Sequence, residues 1–435
     1  MPANPSRGAV AALLLASFCA AAPAGAVDLE QVLAEVAAAN PALAAQQSEV
    51  AAARAHARRV GAWDAPMLEI SAVNVPTSGG FDQDPMTMKM LGVEQRVDVF
   101  GARGLARQAA QGDARAAGAV AGAARWDRFA DAWEAYGDAY FSAQRAAGTL
   151  AHRAVADRMV AAARARYEVG RGRLDELLRA EAERARLAAD GATFDAEERS
   201  ARARLDALRG REPGARADSL AAPPEWLAAD SAAGWRDVID THPKLLALRE
   251  REAARRTAAD AARRMVWPEL SLHAAYGFRQ TLADGTPQDD MWSAGVELML
   301  PLGTGSRQGA EADEMSAMAD AAALERRGEA LDLGADLATM RGRAAAAHRV
   351  VRMLADTVLV AQQRALAAAW SAYESGSTDL GGVLEAAHAS YAVELDVTRA
   401  RQELARTLAR LLAVTARADL LGVRVPATAG EGRRP

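Results

Sequence analysis

Three groups of side chains in this 435-residue chain have types and spacings suited to handling cations. Glu94 and Glu297 end two matching triplets, Gly92-Val93-Glu94 and Gly295-Val296-Glu297. Each carboxylate lies on the polar side of an alternating stretch, where a set of them facing water would favour cations; ordinary solvated wall is the competing reading. Met86, Met88 and Met90 share the parity of Glu94, and their thioethers suit soft ions such as Cu(I) or Ag(I), although methionine is also a common filler. Asp175, Glu176, Asp379 and Glu385 follow two glycine-centred turns, where acids also favour a helix start through its dipole.

Enzyme chemistry finds no comparable constellation. The six histidines, at 56, 152, 242, 273, 348 and 388, show no metal-ligand spacing, and there is no nucleophile elbow or phosphate loop. Gly303-Thr304-Gly305 follows a strand pattern and precedes a helix pattern, yet it lacks the full dinucleotide fingerprint and reads as a hinge. The one cysteine, Cys19, falls inside a leader-like segment, so the mature chain is expected to hold no disulfide, cysteine metal site or cofactor. In that segment Arg7 supplies the positive start, residues 9–22 the apolar run, and Pro23-Ala24-Gly25-Ala26 a cleavage pattern that leaves Val27 first. A lipid anchor on Cys19 would want a small residue before it, and Phe18 is bulky; cleavage after Ala26 and export are the expectation. A net charge of −5 is too mild to point to nucleic acid.

The elements that must position the carboxylates and thioethers come in two copies. Tyr167, Gly170, Leu174 and Leu178 return as Tyr373, Gly376, Leu380 and Leu384, each 206 residues on. Pro41 and Pro66 return as Pro243 and Pro268, each 202 on. Residues 42–62 and 244–266 are alanine-rich and helical, opened by Asn40-Pro41 and His242-Pro243 with proline placed in a first turn. After Pro66 and Pro268 the period changes from 3.6 to 2. Leu68, Ile70 and Ala72 alternate with Glu69, Ser71 and Val73; Leu270, Leu272, Ala274, Tyr276 and Phe278 alternate with Glu269, Ser271, His273, Ala275 and Gly277. A second strand follows in each copy, carrying Leu91, Val93 and Val97 in the first and Trp292, Ala294, Val296 and Leu298 in the second.

Long proline-free intervals come next, 86–212 and 302–425. They predict helices over about 105–167 and 308–373, each roughly 95 Å at 1.5 Å per residue, with return helices over 174–208 and 380–416. A helix followed by glycine just after a tyrosine is how a chain leaves one helix for another, so both glycine blocks read as tips of antiparallel helical hairpins. Phe129, Trp133, Tyr136 and Tyr140 form a heptad stripe expected to be core, while Gly118, Gly122, Gly137 and Gly148 are expected to let backbones approach. The chain thus divides into leader 1–26, first repeat 27–211, an irregular linker 212–235 containing Pro213, Pro223 and Pro224, second repeat 236–421, and a polar tail 422–435 expected to be disordered.

No apolar run after residue 26 approaches the roughly 20 residues of a membrane helix, so a membrane can be crossed only by the strands. Their length and dyad pattern are those of a membrane barrel wall, with Tyr276, Phe278 and Trp292 near one interface as an aromatic girdle. Four strands cannot close a barrel, and unpaired edges in hydrocarbon cost several kcal/mol per group. Three copies supply about twelve strands around a water-filled channel, with Glu94 and Glu297 on its inner side.

In this order, helix, strand pair, long helix, tip and return helix, repeated after a leader, the chain resembles the TolC-type outer-membrane efflux proteins over nearly its whole mature length. The residues that carry the resemblance are Asn40-Pro41, the tips Val169-Gly170-Arg171 and Ser375-Gly376-Ser377 with Tyr167 and Tyr373 before them, and the two Gly-Val-Glu triplets. The resemblance implies a mostly α chain whose duplicated hairpins form an α-barrel when trimeric, with four strands given to a 12-stranded transmembrane β-barrel. It implies a passive homotrimeric exit duct in outer-membrane lipid, meeting a periplasmic adaptor and, through it, an inner-membrane pump of the RND type. Val75-Pro76, then Asp84-Pro85-Met86-Thr87-Met88-Lys89 and Gln95, look like the branch serving cobalt-zinc-cadmium or copper-silver pumps.

Relatives in this family carry acids about six and nine residues past the second tip glycine that constrict the closed end. Here those places hold Gly382 and Glu385, with Asp379 nearer the turn, and Glu176 and Arg179 in the first copy, which departs from the acid pair. Tyr167, Tyr373, Asp175, Glu176, Asp379 and Glu385 are the gate candidates. Val169, Gly170, Arg171, Arg173, Ser375, Gly376 and Ser377 are the candidates for adaptor contact. Drug efflux and type I secretion use the same fold and stay open as alternatives. So does a soluble periplasmic coiled-coil adaptor, which would have helical hairpins but no alternating strand pairs.

Overall fold

A computed structural model of the chain describes residues 26–214, 218–225, 236–300 and 305–426. The leader with Cys19, residues 215–217 and 226–235 of the linker, Gly303 and Thr304 of the expected hinge, and 427–435 of the tail lie outside the described residues. In chain order the elements are α1 (Leu29–Ala39), α2 (Pro41–Val60), β1 (Met67–Val73), β2 (Met88–Val97), α3 (Ala102–Glu168) and α4 (Leu174–Leu208). The second copy follows as α5 (Arg236–Asp240), α6 (Pro243–Arg264), β3 (Glu269–Phe278), β4 (Met291–Met299), α7 (Gly305–Met353), a π-helical segment Leu354–Leu359, α8 (Val360–Glu374) and α9 (Leu380–Thr415). Periodicity placed the strands and return helices to within one to three residues. It passed over α1, whose capping box joins the Asp28 side chain to the Gln31 N–H and the Gln31 side chain to the Asp28 N–H.

The helix α3 runs 67 residues, about 100 Å. Its first half packs against α2 and α6, with α7 beyond α6; its second half packs against α4 and α9, and α8 pairs with α9. Close approach is bought by small residues at two crossings. A Cβ on Gly112 would stand 2.9 Å from the Cβ of Ala254 on α6, and one on Gly137 would stand 3.3 Å from the Cβ of Ala405 on α9. The expectation that Gly118 and Gly148 do the same is not met, since both face open space in the single chain.

The second long helix runs without a gap over 305–374, as expected for 308–373, but its winding is not uniform. The separation of equivalent positions grows from 203 at Glu94 and Glu297 to 206 at Tyr167 and Tyr373, so this helix carries three residues more than α3. The six-residue π segment Leu354–Leu359 lies in that surplus stretch, and its wider turn takes up residues that α-helical winding would push out of phase with α9.

The principal core sits halfway along the body. Phe129, Trp133 and Tyr136 are fully buried there among Val32, Leu33, Val36, Leu404, Leu408 and Leu412, so the aromatic stripe is core as expected. The Tyr136 hydroxyl shares its proton between the carbonyls of Val27 (2.9 Å) and Ala221 (2.6 Å), and burial pushes this phenol far above its ordinary range. Val27 and Leu220 form a parallel bridge, so the start of the first repeat and the linker are held by one residue of α3. Arg209, with its side chain 2 % exposed, donates to Glu35 (2.6 Å) and Asp218 (3.0 Å), and Arg211 reaches the same two carboxylates. Burial alone would raise the Asp218 pKa; the hydrogen bonds from Arg209 and Arg211 outweigh it and hold the group below the usual carboxylate range.

The repeat extends to a pair of caps with different side chains. Asn40 Oδ1 accepts from the N–H groups of Ala42 and Leu43, and Asn40 Nδ2 donates to the Leu208 carbonyl at the end of α4. His242 does both jobs in the second copy: Nδ1 accepts from the Lys244 N–H, and Nε2 donates to the Ala413 carbonyl near the end of α9. Only the neutral ring can do so, because protonation at Nδ1 removes the acceptor. Burial is the main cause that lowers the pKa of His242; the hydrogen bond to the Ala413 carbonyl is the chief opposing one, Lys244 adds to the lowering, and Glu329 and Asp127 oppose it. The folded state therefore binds fewer protons than the unfolded one below the ordinary histidine value of 6.5, and stability falls as pH drops through that value. His242→Asn should keep the cap as Asn40 does and flatten the loss. Thermal melts at pH 7.5 and 5.5 check this, and an unchanged pH slope in the variant would exclude His242 as its source.

Candidate functional site

The four strands form one antiparallel sheet in the order β1-β2-β3-β4. The chain leaves at β2, traverses the helical body, and returns at β3 beside it, so the two copies meet at the central pair while β1 and β4 keep open outer edges. Register aligns Ile70, Leu91, Tyr276 and Trp292 in one cross-strand row, and Leu68, Val93, Ala274 and Ala294 in the next. That face is apolar and uncovered: Ile70 is 78 % exposed, Val296 63 % and Trp292 79 %. A soluble adaptor built of helical hairpins would have no such sheet.

The opposite face carries Glu69, Ser71, Glu94, Arg96, Ser271, His273, Ser293 and Glu297. Glu94 sits directly across from His273, whose ring lies over Gly295; a Cβ there would stand 2.3 Å from the ring. Glu297 is across from Ser271, and Arg96 is on the other side of that serine. Both sequence-singled carboxylates thus share the polar face, each one strand away from, or separated by one small residue from, a basic side chain. Alternation alone gave the face; cross-strand register was needed to find His273 and Arg96 beside the acids.

Met88 and Met90 belong to β2 on this polar face, at the sheet end away from the helices. Met86 precedes the strand: its N–H donates to Asp84 Oδ1 (2.7 Å) and its carbonyl accepts from Asn74 Nδ2 (3.2 Å). The connections at this end brace one another. The Ala283 N–H donates to the Asp82 carbonyl (2.9 Å), and the Arg279 guanidinium reaches the Pro85 carbonyl.

At the far end of the helices both tips are built alike. Gly170 and Gly376 take φ of 71° and 77°, the left-handed region, after which Arg171 N–H donates to the Arg166 carbonyl and Ser377 N–H to the Ala372 carbonyl, both at 2.9 Å. This is a glycine-ended helix stop that satisfies the last carbonyls. Val169, Gly170, Arg171, Arg173, Ser375, Gly376 and Ser377 are all exposed. The tyrosines differ. Tyr167 is 44 % exposed, whereas Tyr373 is buried beneath the Arg166 guanidinium, 4.3 Å from its ring centre, and so ties the two tips together. Met159, Val160, Leu177, Leu380 and Val383 share that second core. Among the acids, Asp175 pairs with Arg173 (2.8 Å), whose hydrogen bond lowers its pKa. Asp379 caps α9 through the Gly382 N–H (3.1 Å), Glu176 is half-buried, and Glu385 is exposed.

Between the tips and the principal core a polar layer that the sequence did not reveal joins α3 to α9. The Thr149 hydroxyl meets the Tyr391 hydroxyl (3.0 Å) and His152 Nε2 meets Glu394 (2.8 Å), a hydrogen bond that lowers the Glu394 pKa. Above it, Arg145 joins Gln402 and Glu197, and Gln402 joins Asp138. These partners lie more than 240 residues apart along α3 and α9, except Glu197, and no local spacing marks them.

Comparison with known proteins agrees with this architecture. The family model described as outer membrane efflux protein matches residues 236–417, the second repeat. Among solved structures, a membrane protein from Pseudomonas aeruginosa is similar at a TM-score of 0.73 and 22% identity, over 89% of this chain and 93% of that one. CusC, described for its folding and transmembrane channel formation, gives 0.73 at 16% identity over 91% and 92% of the two chains. The outer membrane protein VceC from Vibrio cholerae gives 0.71 at 20% identity over 91% and 96%. No curated protein matches this sequence. The fold is that of the TolC-type outer-membrane channels, helical with one small four-stranded sheet.

Proposed function

We propose that three copies of this chain close a β-barrel in the outer membrane and form the passive exit duct of an efflux system, with metal cations as cargo. One observation carries the reading: a sheet whose apolar face is bare and whose two edges are open. Hydrocarbon suits the face, and only further strands suit the edges. The leader 1–26 is the signal that brings the chain there. The channel interior is the face of Glu94 and Glu297, which favours cations in proportion as the carboxylates outweigh Arg96 and His273. Tyr167, Asp175, Glu176, Asp379 and Glu385 surround the closed end with Tyr373 as its packed anchor. The exposed Val169, Arg171 and Arg173 with Ser375 and Ser377 are the surface for a periplasmic adaptor, through which an RND-type pump supplies the driving force. The metal assignment rests on the polar-face acids and thioethers.

One set of measurements tests this. The mature chain extracted in detergent should have the mass of three chains and conduct ions across a planar bilayer with a preference for cations. Glu94→Gln with Glu297→Gln should lower that preference, and reversing Arg171 and Arg173 to glutamate should stop export while conductance stays. A freely soluble monomer would end the reading; an unaltered preference would remove the two acids from it.

A further inference from the structure

The register regroups the methionines. Met90 of β2, Gly277 of β3 and Met291 of β4 occupy one cross-strand row on the polar face. Met88 lies one step further toward the outer connections, and its Sδ is 2.8 Å from where a Cβ on Gly277 would be, so its sulfur lies over the glycine. The glycine leaves a floor with no side chain, one strand spacing of about 4.8 Å from the strand on either side. Two unbranched side chains flank that floor and a third crosses it. Methionine's three rotatable bonds let the flanking sulfurs lean inward from both sides.

We infer that Met88, Met90 and Met291 form a three-thioether site for a soft monovalent cation, Cu(I) or Ag(I), at the outer mouth of the barrel. The inference rests on the metal-cargo reading above and narrows it to soft ions. Three neutral sulfurs with no carboxylate in their rows favour such ions and give little to hard divalent ones. The neighbours on this face in the paired rows are Ser71, Val73 and Gly277, which do not compete with the sulfurs. The nearby cation Arg279, two residues beyond Gly277, has its guanidinium turned to the Pro85 and Asp289 carbonyls and Gln288. Packing gives no reason for a thioether at Met291, which is exposed with no layer of the described residues over it. Met86 is excluded: it stands outside the strand, its backbone held by Asp84 and Asn74. Glu94 lies four residues along β2 from Met90, about 14 Å, so an ion would pass from oxygen ligands to sulfur ligands on its way out.

Silver titration of the detergent-solubilised full assembly, read by calorimetry and by bound metal per chain, tests the site. Replacing Met88, Met90 and Met291 together by leucine nearly conserves volume and should leave the mass of the assembly unchanged. Wild type is expected to bind one more Ag(I) per chain than this variant, and Met86→Leu is expected to bind as wild type does. Equal binding by wild type and the triple variant overturns the site, as does loss of that equivalent in Met86→Leu alone. Silver tolerance of cells with and without the gene separates the two levels. Tolerance that depends on the gene while the extra equivalent is missing sinks the site and keeps the cargo reading; the reverse result keeps the site and sinks the cargo.

Discussion

Ile70→Arg is expected to keep the protein out of the outer membrane. Ile70 is 78 % exposed on the apolar face, in register with Leu91, Tyr276 and Trp292, with no layer of the described residues over it. A guanidinium on the lipid side of a barrel costs about 2–4 kcal/mol near the bilayer midplane, and less toward the interfaces where it can snorkel. If three chains share one barrel the cost is paid three times in a single assembly, which is enough to favour the unassembled chain. The neighbouring residue gives the control. Ser71 points the other way, and Ser71→Arg should be tolerated, with a changed conductance. Fractionation with mass in detergent distinguishes the two; assembly of Ile70→Arg together with failure of Ser71→Arg would mean the faces are inverted.

The second large effect belongs to the helical body. Trp133→Ala should lower its thermal stability strongly, by about 3–5 kcal/mol, because a fully buried large side chain is lost from a core that draws on α1, α3, α7 and α9 and cannot collapse around the void without moving all four. Trp133→Phe should cost much less. It keeps most of the packing and also removes the indole N–H, which is buried without a hydrogen-bond partner. Circular dichroism melts of the two variants check the order, and equal losses would show that the indole group, not its volume, matters at this position.

What could be read from the sequence was whatever repeats locally. Strands showed themselves because residues 68–73 and 269–278 alternate with period 2, and tips because Gly170 and Gly376 break otherwise uninterrupted helical stretches. The short α1 was missed although Asp28 and Gln31 spell its capping box; its apolar stripe of Leu29, Val32, Leu33 and Val36 lies directly beside the leader's cleavage pattern and was not read separately. The π segment left a trace, a three-residue growth in the repeat offset, with nothing to say where the surplus would sit. The pairing of Arg209 with Glu35 and of Tyr391 with Thr149, and the row that Met291 shares with Met90 across Gly277, have no local signature, since each depends on which helices or strands lie side by side. The equivalence of Asn40 and His242 was half visible, because both precede a proline that opens a helix, but the second hydrogen bond of each needed the ends of α4 and α9 in place.

The unequal length of the two halves bears on ancestry. An ancestor with a single hairpin and a single strand pair could have ringed itself six times around an axis with every unit alike. The three-residue surplus lies in only one half of this chain, the half that also holds the π segment. Three extra residues turn an α-helix by about 300°, so the side chains beyond Leu359 face directions that their counterparts on α3 cannot match without the wider turn. The two hairpins of one chain then present different faces beyond the π segment, while their tips keep the same glycine-ended stop.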